Sequence, residues 1–226
     1  MTDSAKAERR DPSGRGAPLI TGKTPLPEAF FERSAIEVAR DLLGRLLLST
    51  VNGTRVLARI VEAEAYFGPD DEASHASARI GRTKRNEAMF GRAGTAYVYR
   101  IYGIHWCLNA VTDAVGHPAA VLIRAAEVLE GDEAACQRRG ARPVTDLLRG
   151  PGNLCTGLGV TGELNLHRLS QPPLQVLSGS PVPAGEIQAG PRVGITRAVD
   201  LPLRFWIKGN TSVSNIRAGT PRSNRT

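Results

Sequence analysis

Two glutamates and a tyrosine in one short run are the residues best suited to acid–base chemistry in this chain of 226 residues. Residues 59–66 read RIVEAEAY, and the alternation of a β-strand places Glu62, Glu64 and Tyr66 on one face. Carboxylates at that spacing lie about 7 Å apart and repel each other unless something compensates them. The run is therefore either a solvated acidic strand face or a site where a carboxylate beside an aromatic ring acts as a general base.

A region predicted to form a hairpin contains three of the four tyrosines of the chain. Tyr97 and Tyr99 suit ordinary cross-strand packing, but Tyr102, at a predicted turn before Gly103, has little core to join. Exposed aromatic side chains at such tips stack on bases or wedge between them. Asn109 lies within the next predicted strand, where its amide needs hydrogen-bond partners in a site or in a neighbouring loop.

The charges are sorted along the sequence. Segment 62–72 has five acidic residues and no basic one, whereas segment 79–100 has six basic residues and one acidic residue. The net charge of +7 comes mostly from the ends, since residues 1–24 contribute +2 and residues 207–226 contribute +4. Basic ends raise the encounter rate with any polyanion, so they are compatible with nucleic acid but do not define a site.

The sequence predicts neither a metal nor a cofactor. His75 stands alone in a polar segment, the four histidines have no ligand spacing, and Asp70-Asp71 lacks an EF-hand pattern. The three cysteines form no C-x-x-C pair, which favours a reducing compartment. No apolar run approaches the roughly 18 residues of a membrane span, and no secretory signal is visible. We therefore expect a cytoplasmic protein without membrane association.

Helical and strand periodicities predict one mixed α/β (α+β) domain over residues 25–208, built around antiparallel strands. A flexible basic tail, residues 1–24, precedes it, and a basic tail, residues 209–226, follows and is expected to fray. Ser34 is a predicted helix N-cap, and Asn52-Gly53 predicts a hairpin turn. The long polar segment 67–94 predicts a loop with little regular structure, either functional or disordered. Strands are predicted over residues 46–50, 55–66, 95–101, 105–112, 119–124, 174–177, 192–195 and 203–207, and helices over 27–33, from 35 onwards, over 125–136 and up to 158.

The motifs, taken in order, resemble those of the alkyladenine (3-methyladenine) DNA glycosylases, over about residues 26–208. The matching runs are Arg59-Ile-Val-Glu-Ala-Glu-Ala-Tyr66, Gly68-Pro-Asp-Asp-Glu-Ala-Ser-His75, Met89-Phe90, Gly94-Thr95-Ala-Tyr97-Val-Tyr99-Arg-Ile-Tyr102-Gly103, Cys107-Leu-Asn109, Val121-Leu-Ile-Arg124-Ala, Gly150-Pro-Gly-Asn-Leu-Cys155, Pro191-Arg-Val-Gly-Ile195 and Leu203-Arg-Phe205.

The resemblance implies a catalytic role for Glu64 and a binding role for three aromatic residues. Glu64 matches the general base that deprotonates a water attacking the anomeric carbon of a flipped nucleotide. Tyr66, His75 and Tyr99 match the residues that sandwich the extruded base. The family fold is a single domain with a curved antiparallel sheet flanked by helices, and its β-hairpin enters the minor groove of DNA.

Three further positions match residues that contact DNA or select the base. Tyr102 matches the intercalating tyrosine, Asn109 the asparagine expected to clash with the 2-amino group of guanine, and Arg124 a basic residue near the flipped nucleotide. Two positions depart from the family pattern, since Asn153 replaces the usual lysine and His105 replaces an apolar residue. Asn153 puts a backbone contact in doubt, but neither departure removes a catalytic residue.

The function implied is that of a monomeric DNA glycosylase that acts on double-stranded DNA containing alkylated or deaminated purines, on the nucleoid if the cell is bacterial. Because Lys84 is the only lysine between residues 25 and 206, we expect base release without strand cleavage. One alternative is a non-catalytic nucleic-acid-binding module in which Glu64 is inert. Another is a glycoside hydrolase that uses Glu62 and Glu64, whose spacing fits an inverting enzyme but which share one strand face. Neither alternative explains Tyr102.

Overall fold

The computed structural model describes residues 23–214, which form an α+β domain. Its helices are α1 (Glu28–Phe31), α2 (Ala35–Asp41), α3 (Asp132–Arg139) and α4 (Pro151–Leu158). Its strands are β1 (Leu46–Ser49), β2 (Val56–Tyr66), β3 (Ala96–Ile101), β4 (His105–Thr112), β5 (Ala119–Glu130), β6 (Leu174–Leu177), β7 (Ile187–Gly190) and β8 (Arg204–Ile207). This confirms the predicted fold class, the two hairpins and the Ser34 cap, whose hydroxyl accepts from the Glu37 amide.

All eight strands belong to one open antiparallel sheet with the order β3-β4-β5-β2-β1-β6, to which β8 and β7 are added beside β2. Strand β2 pairs with β5 along one edge. Its other edge pairs first with β1 and then, over Glu62 to Glu64, with β8. The two glutamates therefore lie in the middle of the sheet, and the pairing with β5 has register shifts on either side of Glu62. Such bulges commonly reorient side chains near functional sites.

The hydrophobic core lies between this sheet and helices α2 and α4. Val38 and Ala39 of α2, Leu42 at its C-cap, and Leu154 and Leu158 of α4 have no exposed surface. Burial of such side chains contributes about 1.5–3 kcal/mol for each large one and makes the sheet a rigid support. None of the helices in the described part of the chain is long and apolar enough to cross a membrane.

Two predicted elements are wrong. Residues 125–130 continue strand β5 instead of starting a helix, because they pair with β2 and because Glu127 and Glu130 form ion pairs with Arg59 and Arg55 across the strands. Tertiary pairing here overrides the helical preference of the alanines. The strand ends at Gly131, whose φ of 80° begins the turn into α3.

Residues 192–195 are not a strand, and the strand lies earlier, at β7. The reason is that the Val193 amide donates to the Glu64 side chain and not to the backbone carbonyl of a neighbouring strand. Fraying from residue 209 is also wrong as far as the structure extends, since Ser212 is buried and Ser214 is bonded to Glu62. Residues 1–22 of the predicted N-terminal tail and 215–226 of the C-terminal tail lie outside the described residues.

Candidate active site

A cavity of about 380 Å³ opens between the sheet, the loop 67–94 and the segment 193–197. It brings together six of the seven residues that the sequence singles out. These are Tyr66, His75, Tyr99, Tyr102, Asn109 and Arg124. The seventh, Glu64, lies directly behind the wall, in contact with the lining residues Tyr66, Arg124 and Val193. Residues far apart in the chain thus form one site.

Glu64 is a buried carboxylate held by three donors. Its Oε1 accepts from the Val193 amide at 2.7 Å and lies 3.2 Å from Arg124 Nη1, and its Oε2 accepts from the Tyr66 hydroxyl at 3.0 Å. Burial raises the pKa of Glu64 more than Arg124 and these hydrogen bonds lower it. Burial and the neighbouring Glu64 also raise the pKa of Tyr66 well above its ordinary value, so Tyr66 remains a donor. A solvated acidic face is thereby excluded.

Arg124 links the two glutamates of β2. Its Nε donates to Glu62 Oε1 at 3.0 Å, while its Nη1 faces Glu64. Although burial acts to lower the pKa of Arg124, Glu64 and Glu62 raise it, so the guanidinium stays charged. This cation is the compensation that two carboxylates at this spacing require. Arg124 also lines the cavity, which is compatible with its predicted place near a nucleotide.

One wall of the cavity is a cluster of three aromatic rings. His75 contacts Tyr99 edge to face at 4.5 Å between ring centroids, and the ring of Tyr97 lies 5.2 Å from that of Tyr99. The Tyr97 hydroxyl lies 2.9 Å from His75 Nδ1. Burial lowers the pKa of His75, helped by Arg85, and raises the pKa of Tyr97 to about 12. The wall is therefore uncharged at neutral pH.

Tyr66 is supported from behind by a buried ion pair. Arg192 stacks on the Tyr66 ring at 4.6 Å and is bound by both oxygens of Asp71 at 2.5 and 2.8 Å. Arg192 also donates to the Ala65 carbonyl. Because neither Arg192 nor Asp71 has exposed side-chain surface, the pair fixes the ring and the start of the loop 67–94 together.

That loop is held a second time, near its middle, by a buried asparagine. The Asn86 amide donates to the carbonyls of His75 and Gly81, and its oxygen accepts from the Thr83 amide. The prediction of little regular structure is confirmed, since the loop contains only turns and the short 3-10 helix Glu87–Phe90. Its backbone is nevertheless fixed where His75 enters the cavity.

Asn109 is buried on β4, opposite Tyr97, and lines the cavity. Its side-chain nitrogen donates to the Tyr97 carbonyl at 2.9 Å, which satisfies the hydrogen-bonding need noted from the sequence. This bond also fixes which way the amide faces. Asn109 is thus placed to contact an occupant of the cavity.

The tip of the β3–β4 hairpin carries the most exposed aromatic residue in the described chain. Tyr102 is 81% exposed and Ile104 66% exposed. The turn has positive φ at both central residues, 53° at Tyr102 and 72° at Gly103. Glycine adopts this conformation freely, but for tyrosine it is unfavourable by about 1–2 kcal/mol. The exposed ring therefore has no packing benefit that offsets its strain.

The two departures from the family pattern lie at one junction. His105, at the start of β4, lies against Gly152 near the start of α4, where an added Cβ would approach the His105 Cβ to 3.0 Å. The Asn153 amide donates to the Arg149 carbonyl at 2.6 Å. His105 thus packs the hairpin against α4, whereas Asn153 ties the start of α4 to the residues just before it. No group of three metal-ligating residues occurs within residues 23–214.

Four residues that hold the site were not singled out from the sequence alone. Tyr97 was interpreted as packing, and Asp71 as one charge of an acidic segment and a rejected metal ligand. Arg192 and Val193 belong to a matching motif, but nothing in their spacing assigns them a role. The run Pro191-Arg-Val-Gly-Ile195 carries no local signal for these contacts, since the partners of Arg192 and Val193 lie more than 120 residues away.

The fold and the cavity together place a buried carboxylate behind a pocket lined by aromatic side chains. The sequence model of the family described as methylpurine-DNA glycosylase matches residues 29–211. Relatives named "Putative 3-methyladenine DNA glycosylase" include one from Rhizobium etli, 50% identical over 95% of this chain and 98% of the relative. Another, from Streptomyces avermitilis, is 44% identical over 90% and 97%. A third, from Myxococcus xanthus, is 46% identical over 84% and 93%.

The chain therefore belongs to the methylpurine-DNA glycosylase family. It is a DNA glycosylase, a hydrolase that cleaves N-glycosyl bonds. This confirms the resemblance derived from the motifs and excludes the non-catalytic binding module. The glycoside hydrolase alternative also fails on geometry. Glu64 contacts three residues that line the cavity, whereas Glu62 contacts only Arg124 among them and is otherwise bound by Arg204 and Ser214.

Proposed function

We propose that this enzyme flips alkylated or deaminated purines out of duplex DNA and hydrolyses their N-glycosidic bond with a water activated by Glu64. The product is an abasic site, which initiates base excision repair. The observation that carries the proposal is the position of Glu64, a buried carboxylate directly behind a cavity lined by Tyr66, His75 and Tyr99.

The exposed hairpin tip is suited to the flipping step. Extruding a base costs a few kcal/mol of stacking and pairing, and less for a damaged or mispaired base. Tyr102 would enter the gap and replace the lost stacking. The ring needs no rearrangement to do so, because it is already exposed.

The aromatic residues of the cavity are suited to holding the extruded base. Tyr66 would stack on one side and the wall of His75 and Tyr99 on the other. An alkylated purine carries a positive charge, and cation–π attraction would favour it by about 0.5–2 kcal/mol. Asn109 would exclude guanine by contact with its 2-amino group. Neutral hypoxanthine would require protonation of the leaving base instead.

The hydrogen bonds of Glu64 leave one lone-pair position of its carboxylate unused, and a water could donate to it. An ionised carboxylate offers about four lone-pair positions. The Val193 amide and Arg124 use Oε1, and the Tyr66 hydroxyl uses one position on Oε2. A water at the remaining position would be deprotonated as it attacks the anomeric carbon. The carboxylate charge would also stabilise the sugar cation that forms as the bond breaks.

Strand cleavage is not part of the proposal. A lyase reaction needs an amine that forms a Schiff base, usually a lysine. Among the described residues, no lysine lines the cavity. We therefore expect release of the base alone, with the sugar–phosphate backbone intact.

The test is single-turnover base release from duplexes with one 3-methyladenine, one hypoxanthine or no lesion. We expect free base and an alkali-labile site from at least one damaged duplex and neither from the undamaged control. Borohydride added during the reaction should trap no protein–DNA adduct. No release from any duplex would overturn the proposed function, and appreciable trapping would overturn only its monofunctional part.

A further inference from the structure

The proposed reaction assigns no role to the buried acid Glu62. Glu62 has no exposed surface and does not line the cavity. It nevertheless accepts four hydrogen bonds. Its Oε1 accepts from Arg124 Nε at 3.0 Å, Arg204 Nε at 2.6 Å and Ser214 Oγ at 2.7 Å, and its Oε2 accepts from the Ser214 amide at 2.7 Å.

These bonds join four separate parts of the chain. Glu62 lies on β2, Arg124 on β5, Arg204 on β8, and Ser214 in the segment that follows β8. With Glu64 the group holds two negative and two positive charges. A buried ionic cluster of this kind is often no more stabilising than apolar residues of the same volume. Stability alone therefore gives little reason for four charges at this place.

Arg124 connects Glu62 to the site. The guanidinium is planar and rigid, so a bond that fixes Nε also fixes the direction of Nη1. Arg124 Nε is bound by Glu62, and Nη1 lies 3.2 Å from Glu64 Oε1. Any loosening of the bond to Glu62 would change the contact with Glu64.

We propose that Glu62 is a positioning residue for base release, which orients Arg124 against Glu64 and is itself held by Arg204 and Ser214. The proposal rests on the proposed role of Glu64 as general base. It also gives the segment after β8 a part in the site, since Ser214 supplies two of the four donors to Glu62.

The charges of the cluster make the proposal measurable. Burial raises the pKa of Glu64, Arg124 lowers it and Glu62 raises it. Loss of Glu62 should free Arg124 to move away from Glu64, which removes the larger, lowering influence and so raises the pKa of Glu64. Loss of Arg204 should also raise this pKa, because Glu62 would then be less compensated. The charged and titratable groups that face Glu64 or its partners from all packed elements are Glu62, Tyr66, Asp71, Tyr99, Cys107, Arg124, Arg192 and Arg204.

The experiment compares Glu62→Gln, Arg204→Gln and the double variant by single-turnover base release against pH, with thermal unfolding of each. Glu127→Gln is the matched control, because Glu127 also pairs with an arginine and also accepts from the last described segment, through Asn210, but does not contact Arg124. The carbon-13 resonance of the Glu64 carboxyl reports its titration without substrate.

Glu62→Gln should lower the plateau rate about 10- to 100-fold, as expected for a displaced catalytic group, and shift the acidic limb to higher pH. Arg204→Gln should shift the limb to higher pH. The double variant should match Glu62→Gln in both limb and plateau, because Arg204 acts on Glu64 only through Glu62. Glu127→Gln should change neither the plateau rate nor the pH of the acidic limb.

The proposal is overturned if the single variants keep the wild-type limb and plateau and differ only in melting temperature. If Glu62→Gln does not fold, the pH–rate profile of Arg204→Gln decides. An acidic limb that does not move to higher pH in that variant then overturns the proposal. A different outcome is a wild type that releases no base while the carbon-13 resonance of Glu64 titrates in the variants as predicted. That result would overturn the proposed function and leave the coupling of Glu62 to Glu64 intact.

Discussion

Tyr102, at the tip of the β3–β4 hairpin, is 81% exposed and has a positive φ, whereas Glu64, on the central strand, is fully buried and held by three donors. The position of Glu64 is determined by Tyr66 on its own strand and by residues from two distant parts of the chain, Arg124 and Val193. The position of Tyr102 depends on one turn. The buried end of the site is thus built for fixed geometry, and the exposed end for contact with a partner that brings its own structure.

The two ends also differ in the feature that lowers the stability of the fold. At the buried end, charges are removed from water and must compensate one another. At the exposed end, a strained backbone is retained although another residue would fit the turn better. Both are compatible with a role in function, but substitutions at the two ends should separate stability from activity in opposite ways.

The largest expected loss of stability comes from breaking the buried pair behind Tyr66. Asp71→Asn leaves the Arg192 guanidinium buried without its carboxylate, so the free energy of unfolding should fall by about 3–5 kcal/mol. Denaturant unfolding measures it. The adjacent Glu72→Gln is the control, since its exposed pair with Arg197 should contribute less than about 1 kcal/mol. Equal losses for both variants would contradict the comparison.

At the exposed end, activity should fall without loss of stability. Tyr102→Ala removes the ring that would replace a flipped base, so base release should fall by about 10- to 100-fold, equivalent to about 1–3 kcal/mol of stacking. Tyr102→Phe should retain most of the rate. Val115→Ala, at a similarly exposed apolar position, is the control. A Tyr102→Ala enzyme with the wild-type rate would remove the hairpin from the proposal.

The raised pKa of Glu64 predicts how stability depends on pH. Because burial raises this pKa above its ordinary value of 4.5, the fold favours the protonated acid. The resulting stability is present below 4.5 and is lost as the pH rises through the folded pKa. Glu64→Gln should therefore melt above the wild type at pH 7, and the difference should disappear in acid. A melting temperature below that of the wild type at pH 7 would show that the ionised acid stabilises the fold.

The smallest effect should come from relieving the strained turn. Tyr102→Asn gives an Asn-Gly pair, which suits two positive φ angles, so the free energy of unfolding should rise by about 0.5–1 kcal/mol. Base release should fall as it does for Tyr102→Ala. Chemical unfolding and the release assay together distinguish this result from a general loosening of the hairpin. Loosening would lower both the free energy of unfolding and the rate of base release.

The elements around the site were largely predictable because their signals are local. The alternation in β2, the Tyr102-Gly103 turn and the Ser34 cap each depend on a few neighbouring residues. The same local reasoning failed for residues 125–130, where pairing with β2 outweighs helix propensity. Local pattern thus identified Glu64, Tyr66, Tyr102 and Asn109 as candidates. The roles expected for His75, Tyr99 and Arg124 came only from the family resemblance.

The partners of the site residues could not be predicted, since they come from distant parts of the chain. Asp71 and Arg192 are 121 residues apart, and Glu62 and Ser214 are 152 residues apart. Spacing carries no information about such pairs. Two carboxylates on one strand signalled a need for compensation, but only the folded sheet shows that Arg124 supplies it.

The most direct test of the central claim is the single-turnover rate of Glu64→Gln on a duplex with one 3-methyladenine or hypoxanthine. Glu87→Gln is the control, a carboxylate in an exposed ion pair of the loop. We predict a loss of at least about a thousandfold for Glu64→Gln, with lesion binding retained, and the wild-type rate for the control. A Glu64→Gln enzyme that releases the base within tenfold of the wild-type rate would contradict the assignment of Glu64 as general base.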